Sequence, residues 1–343
     1  MSIRRIIPCL LFVVSVAMLF CLPKVFADKP SSDNPSYNYT VVPHFGATQK
    51  KETTSFYDMT LPPEGSDTFR LEIVNQSAKE QNFQVKVNTA TTNSNGIVDY
   101  TKAQFKKDPS MKLELSKLIQ AETDTLTIAG KQTKTVSFTI KMPKEAFEGI
   151  LLGSVVVRPI KIADEPKEIQ NVFMHTLAIR VNEQETKVSP DLKGGDVHIG
   201  QENLHNTVKM TIRNPQPKLM TQMEGTFFVT KHGTDKKFVE VQKKGLSIAP
   251  NSQFDVPLQV KDQFQAGRYD YTVELKSAEG TWRFTKEFTI KKAEADQYNK
   301  TSVDPQRKAT NHWIVWLLVF IILVLLVLIL YLLNQRRKIE RLN

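Results

Sequence analysis

The segment from Asn88 to Tyr100, reading NTATTNSNGIVDY, gathers side-chain amides and hydroxyls and carries no charge before Asp99. Asn88, Thr91, Thr92, Asn93 and Asn95 can hydrogen-bond the hydroxyl and acetamido groups of a glycan, and Tyr100 offers an apolar ring face to a sugar. The same side chains can instead cap their own backbone. Two readings therefore stand at these six residues: a sugar-binding loop, or a turn that satisfies itself. The Asn95-Gly96 pair points to a type I′ hairpin turn, which needs positive φ at both central positions.

Other chemistries find little support. His44, His175 and His232 are isolated, and His198 and His205 stand seven apart in an alternating context that does not bring them to one site, so no metal is expected. Both cysteines, Cys9 and Cys21, fall in the amino-terminal apolar run, which leaves a mature chain without a disulfide or a thiol nucleophile. Phe20 is too bulky for lipoprotein processing at Cys21, and no serine sits in a nucleophile elbow. A glycosidase would need two converging carboxylates, for which Glu148 and Asp99 are the candidates; solvated strand-end charges are the alternative. The expectation is a binding protein with no catalytic residue and no cofactor. A cell-wall-modifying or hydrolysing enzyme is the rival reading.

The chain's ends speak of targeting. Arg4 and Arg5, the apolar run Ile6 to Leu22 and the small residue Ala27 read as a signal peptide over 1–27. From Trp313 to Leu333 there is no charge, and at about 1.5 Å per residue this stretch is long enough to cross a hydrocarbon core of about 30 Å. A transmembrane helix is expected at 313–333. Trp313 and Trp316 would lie at the outer membrane interface, Tyr331 at the inner one, and Arg336 and Arg337 in a basic cytoplasmic tail, 334–343, that obeys the positive-inside rule. The formal net charge of +10 owes much to these ends, and the part between them is only weakly basic. Nucleic acid is a poor partner for such a surface. The expected location is the cell membrane, crossed once, with the ectodomain outside.

Between the ends the dominant pattern has period two. Phe69, Leu71 and Ile73 alternate with Thr68, Arg70 and Glu72, as Phe83, Val85 and Val87 do with Gln84, Lys86 and Asn88. The pattern returns at Val136, Phe138, Ile140, at Val208, Met210, Ile212, and at Tyr269, Tyr271, Val273, Leu275, while only 104–120 could hold a short helix. The expected class is all-β: two immunoglobulin-like β-sandwich domains in tandem, plus one C-terminal transmembrane helix. IAGKQTKTVSFTIK, from Ile128, aligns without gaps on IAPNSQFDVPLQVK, from Ile248, and Leu71 to Asn75 resembles Met210 to Asn214, which implies two sandwiches of one topology. The expected division is a linker over 28–38, sandwiches over 39–160 and 168–292, and a juxtamembrane stalk over 293–311. Val172 to Val181 could open the second sandwich or close the first. Trp282, alternating with Phe284, reads as a core anchor.

Asn88 to Tyr100, Lys141-Met142-Pro143 and Phe147-Glu148-Gly149-Ile150-Leu151-Leu152-Gly153 resemble the hallmarks of the WxL-interacting proteins of low-GC Gram-positive bacteria. Ala249 to Ser252, Gly267-Arg268-Tyr269 and Trp282-Arg283-Phe284 with Phe288-Thr289-Ile290 are similar to that family's second module. Ser154 departs from the pattern, where a second glycine would be expected. The resemblance implies a peptidoglycan-binding domain followed by a domain that binds host proteins. It also implies partnership with WxL-domain surface proteins and a place in the cell-wall zone of a Gram-positive bacterium, as an adhesin or scaffold.

Overall fold

The computed structural model describes residues 38–160, 172–303 and 312–340, with side chains of the last stretch described over 316–332. The expected signal peptide, the linker before Asn38, and residues 161–171 and 304–311 lie outside the described residues. In chain order the elements are β1 (Tyr39–His44), β2 (Tyr57–Thr60), β3 (Ser66–Asn75), β4 (Gln81–Thr89), β5 (Thr91–Thr92), β6 (Val98–Asp99), the one-turn helix α1 (Leu115–Leu118), β7 (Ile119–Ala121), β8 (Thr125–Ile128), β9 (Thr133–Lys141), β10 (Leu151–Pro159) and β11 (His175–Asn182). There follow β12 (Lys193–Glu202), β13 (His205–Asn214), β14 (Met220–Lys231), β15 (Lys237–Ile248), β16 (Ser252–Gln259), β17 (Gly267–Ser277), β18 (Gly280–Ile290), α2 (Lys292–Thr301) and α3 (His312–Glu340). They divide into two compact units, and chain order does not respect the division. The second unit takes in Thr91–Asp99 and Gln104–Lys112 as well as everything from Lys187 on, while Tyr100–Ala103 and Leu113–Thr186 belong with the first.

The first unit is a sandwich of two sheets, ordered β1-β3-β9-β7 and β2-β11-β10-β4-β8. Period-two alternation sends Phe69, Leu71 and Ile73 of β3 and Val136, Phe138 and Ile140 of β9 into one core with Phe83 and Val85 of β4. Phe69 and Phe138 are direct register partners whose rings stack at 5.1 Å. The fully buried Tyr57 satisfies its hydroxyl on the Arg70 carbonyl at 2.7 Å, and burial pushes its phenol well above the ordinary tyrosine range. Strand β11, which the sequence leaves open between the two sandwiches, pairs antiparallel with β10 and parallel with β2. It closes the first unit.

The second unit repeats the plan with sheets β12-β13-β16 and β15-β14-β17-β18. Matched strand for strand, β1-β3-β9 corresponds to β12-β13-β16 and β11-β10-β4-β8 to β18-β17-β14-β15; the first unit adds β7 and β2 at its edges. The repeat seen in the sequence has a structural cause. Asn75, wholly buried, donates its amide to the carbonyls of Lys79, Ile128 and Ala129, and Asn214, equally buried, donates to those of Lys218 and Ala249. Each carboxamide oxygen accepts the backbone N–H two residues on. Lys131 and Asn251, at equivalent turn positions, both adopt left-handed φ, 61° and 48°. One asparagine per sandwich thus fastens a strand end to the turn that opens the facing strand. Trp282 lies opposite Leu275 on the edge strand β18 and packs against the core only half-buried, so it borders the core rather than anchoring its centre.

At the carboxyl end, residues 292–301 form the helix α2, docked by Ala295, which is buried, and by Tyr298 against Phe264. Asn299 completes the docking, accepting from Phe264 N–H at 2.8 Å and donating to its carbonyl at 2.9 Å. Polar composition hid this helix, because only two apolar residues three apart dock it, and the rest of its hold is polar: Asn299, and Gln201 donating to the Tyr298 carbonyl at 2.7 Å. The expected transmembrane helix over 313–333 is corrected: among the described residues no helix is long and apolar enough to cross a membrane. That region carries α3.

Candidate functional site

The amide-rich segment is divided between the units. Asn88 lies near the end of β4 in the first unit, where its amide donates to the Tyr100 carbonyl at 3.1 Å. Ser154, where the resemblance leads one to expect a glycine, donates its hydroxyl to the same carbonyl at 2.6 Å. Burial raises the Tyr100 phenol above its usual range. Thr91, Thr92, Asn93 and Asn95 belong to the second unit, in a small hairpin formed by β5 and β6. Thr91 and Thr92 are buried. The Thr92 hydroxyl lies 2.8 Å from that of Ser252 and accepts the Ala249 N–H at 3.0 Å.

Asn93 caps its own turn, accepting from the N–H groups of Asn95 and Ile97 at 2.9 and 3.2 Å. Only Gly96 of the Asn95-Gly96 pair has positive φ, 75°, so the loop is longer than a two-residue type I′ turn. Gly96 is required there, since a Cβ would stand 2.7 Å from Leu246. Most of the six side chains are therefore spent on the fold, and Asn95 is the exposed one.

A second feature holds the segment 104–112. Asp108, buried, receives Nε and Nη2 of Arg213 at 2.5 and 3.0 Å and the Ser110 N–H at 2.9 Å. Burial pushes the Asp108 carboxyl up, and these donors outweigh it, leaving its pKa below the ordinary aspartate range. Gln253 donates to the Lys107 carbonyl and Asn251 to the Ser110 hydroxyl.

What a ligand could meet lies on the polar faces of the alternating strands. In the first unit a groove of about 200 Å³ runs over β4 and β10, lined by Gln84, Lys86, Asn88, Val156, Arg158 and Thr101. Lys86 is the register partner of Val156 and Gln84 of Arg158, whose Nε donates to the Gln84 carboxamide at 2.8 Å. Two cations, one available amide, a hydroxyl and an apolar patch suit an acetamido sugar bearing a carboxylated peptide. Alternation indicated that Gln84, Lys86 and Asn88 share a face opposite Phe83 and Val85. That β10 lies beside them depends on strand pairing, which local pattern does not encode.

In the second unit a larger groove, about 410 Å³, crosses all four strands of the sheet β15-β14-β17-β18. Its carboxylates are already engaged: Glu224 lies 3.6 Å from Lys244, and Glu274 3.0 Å from Arg283. The histidines, separate in sequence, each meet a carboxylate in three cases: His44 with Glu72, His198 with Asp255, and His232 with Asp270 and Glu287. Asp99 lies on β6 of the second unit and Glu148 on the loop before β10 in the first. Trp316 and Tyr331 are exposed on α3, while the side chains of Trp313, Arg336 and Arg337 lie outside the described residues.

No curated protein matches this chain. Among solved structures it is similar to the class 5 fimbriae chaperone CfaA, with 13% identity over 73% of this chain and 98% of the other and a TM-score of 0.28. It is also similar to the E. coli chaperone DraB, with 15% identity, 74% and 98% coverage and a TM-score of 0.26, and to the Pseudomonas aeruginosa CupB2 chaperone, with 13%, 67%, 96% and 0.27. At such scores nothing about this chain is drawn from them. Family models are more informative. Residues 39–158 match the peptidoglycan-binding domain of the WxL Interacting Protein, and residues 164–300 match its host-binding domain. Both matches are to binding domains, and they follow one another along the chain in the family's order, so the chain belongs to the WxL-interacting protein family.

Proposed function

We propose that this chain is a non-catalytic adhesin and scaffold in the cell-wall zone of a Gram-positive bacterium, in which the first unit grips peptidoglycan and the second engages a WxL-domain surface protein or a host extracellular protein. The observation that carries the reading is the ordered pair of binding-domain matches over 39–158 and 164–300. The groove over β4 and β10 supports it chemically. Lys86 and Arg158 suit the carboxylates of a stem peptide, and Gln84 and Thr101 suit the acetamido and hydroxyl groups of the glycan. Exposed Asn95 is the remaining member of the amide-rich loop that a sugar could reach.

Sedimentation of the full-length chain with protein-free peptidoglycan, alone and with a WxL-domain protein, tests this, with released sugar assayed in the supernatant. Pelleting without released sugar is the expected result. Soluble sugar fragments would establish the hydrolase instead, and pelleting that requires the WxL-domain protein would move the wall contact to the partner.

A further inference from the structure

Three donors that stand far apart in sequence meet on the second unit. His232 lies in the turn after β14, Asp270 on β17 and Glu287 on β18, and Asp270 and Glu287 are direct partners in the antiparallel register. Nδ1 of His232 is 3.1 and 3.0 Å from the two Asp270 oxygens and 3.8 Å from Oε2 of Glu287. One donor atom from each residue lies within 4.8 Å of the others, and among the described residues this is the one such grouping. Two carboxylates facing each other across an antiparallel pair repel. Arg268 answers part of that repulsion, with Nε 2.7 Å from Oε1 of Glu287. Oε2 and both Asp270 oxygens remain turned toward the imidazole.

An ion that binds oxygen and nitrogen at about 2.0–2.2 Å in a tetrahedron sets its donors about 3.4 Å apart. The imidazole contacts of 3.0 and 3.8 Å bracket that spacing. The backbone positions of Asp270 and Glu287 are fixed by the sheet, and His232 follows directly on β14, so closing the triangle asks for rotation of two exposed side chains, His232 and Glu287, about a half-buried Asp270. One imidazole and two carboxylates form a set that suits zinc and related first-row ions, whereas calcium and magnesium favour all-oxygen sites.

We propose that His232, Asp270 and Glu287 form a divalent transition-metal site of the zinc class on the second unit, its solvent side left for water or for a donor from a bound protein. The site is independent of wall binding by the first unit. Arg268 is a positioning residue, holding one oxygen of Glu287 so that the other faces the ion.

Isothermal titration of the full-length chain with zinc chloride, then with calcium chloride, tests the assignment. The expected result is one saturable zinc site and no calcium binding over the same concentrations. His232→Ala and Asp270→Asn each weaken zinc binding about tenfold or more, while His198→Ala, which removes another exposed imidazole beside a carboxylate, leaves it unchanged. His232 is in an exposed turn, so its removal spares the core. Absence of a saturable zinc site overturns the proposal, as does zinc binding that survives both His232→Ala and Asp270→Asn.

Discussion

Asn75 and Asn214 each end a strand with a fully buried amide that serves carbonyls on two separate segments. Truncation strands those carbonyls away from water, and buried groups without partners cost about 1–3 kcal/mol each. Asn75→Ala and Asn214→Ala are expected to destabilise their sandwiches by about 3 kcal/mol, read from urea denaturation; a loss near zero would mean that water replaces the amide. Asp108 gives a second expectation. Its pKa is depressed in the folded chain, so the stability it contributes is complete above the ordinary aspartate pKa and disappears as pH falls through the lower folded value. Acid titration of unfolding should show this loss in the native chain and a smaller one in Asp108→Asn. Sequence could identify Asn75 and Asn214 through the repeat they close. It gave no sign of Asp108, because its partner Arg213 lies 105 residues away and neither residue belongs to a local pattern.

Among elements, strands were the readily legible part, since alternation at Phe69–Ile73 or Tyr269–Leu275 states which face turns inward without knowledge of neighbours. Helix α2 was not, because its docking rests on Tyr298 and Asn299 rather than an apolar stripe. Asn299→Ala should therefore loosen residues 292–303 while leaving the sandwich intact, a change that amide hydrogen exchange would detect as faster exchange confined to α2. Equal protection in the variant would assign the docking to Tyr298 and Ala295. The groove over β4 and β10 belongs to the same scale. Two adjacent strands supply its cations, so Lys86→Glu with Arg158→Glu should weaken pelleting with peptidoglycan about tenfold or more while melting temperature stays close to the parent's, the positions being on the outer face. Unaltered pelleting would move the wall contact off this face.

At the scale of the molecule, two sandwiches share a strand order that the repeat at Ile128 and Ile248 had already implied. Their division was less legible. A charged, proline-bearing stretch near 160–168 looked like a simple border, yet β11 beyond it completes the first unit, and Thr91–Asp99 and Gln104–Lys112 before it serve the second. Thr92 on Ser252, Asp108 on Arg213 and Gly96 against Leu246 are the particulars. This interleaving bears on synthesis and on inheritance. The ribosome releases residues 91–99 and 104–112 before the strands β12 to β18 exist, so those residues must wait for the fold that employs them. A gene segment encoding 164–300 alone would deliver a sandwich with Arg213 lacking its carboxylate and Leu246 uncovered. A second half moved alone would therefore leave those contacts unmade, and only a piece that also carries 91–99 and 104–112 would make them.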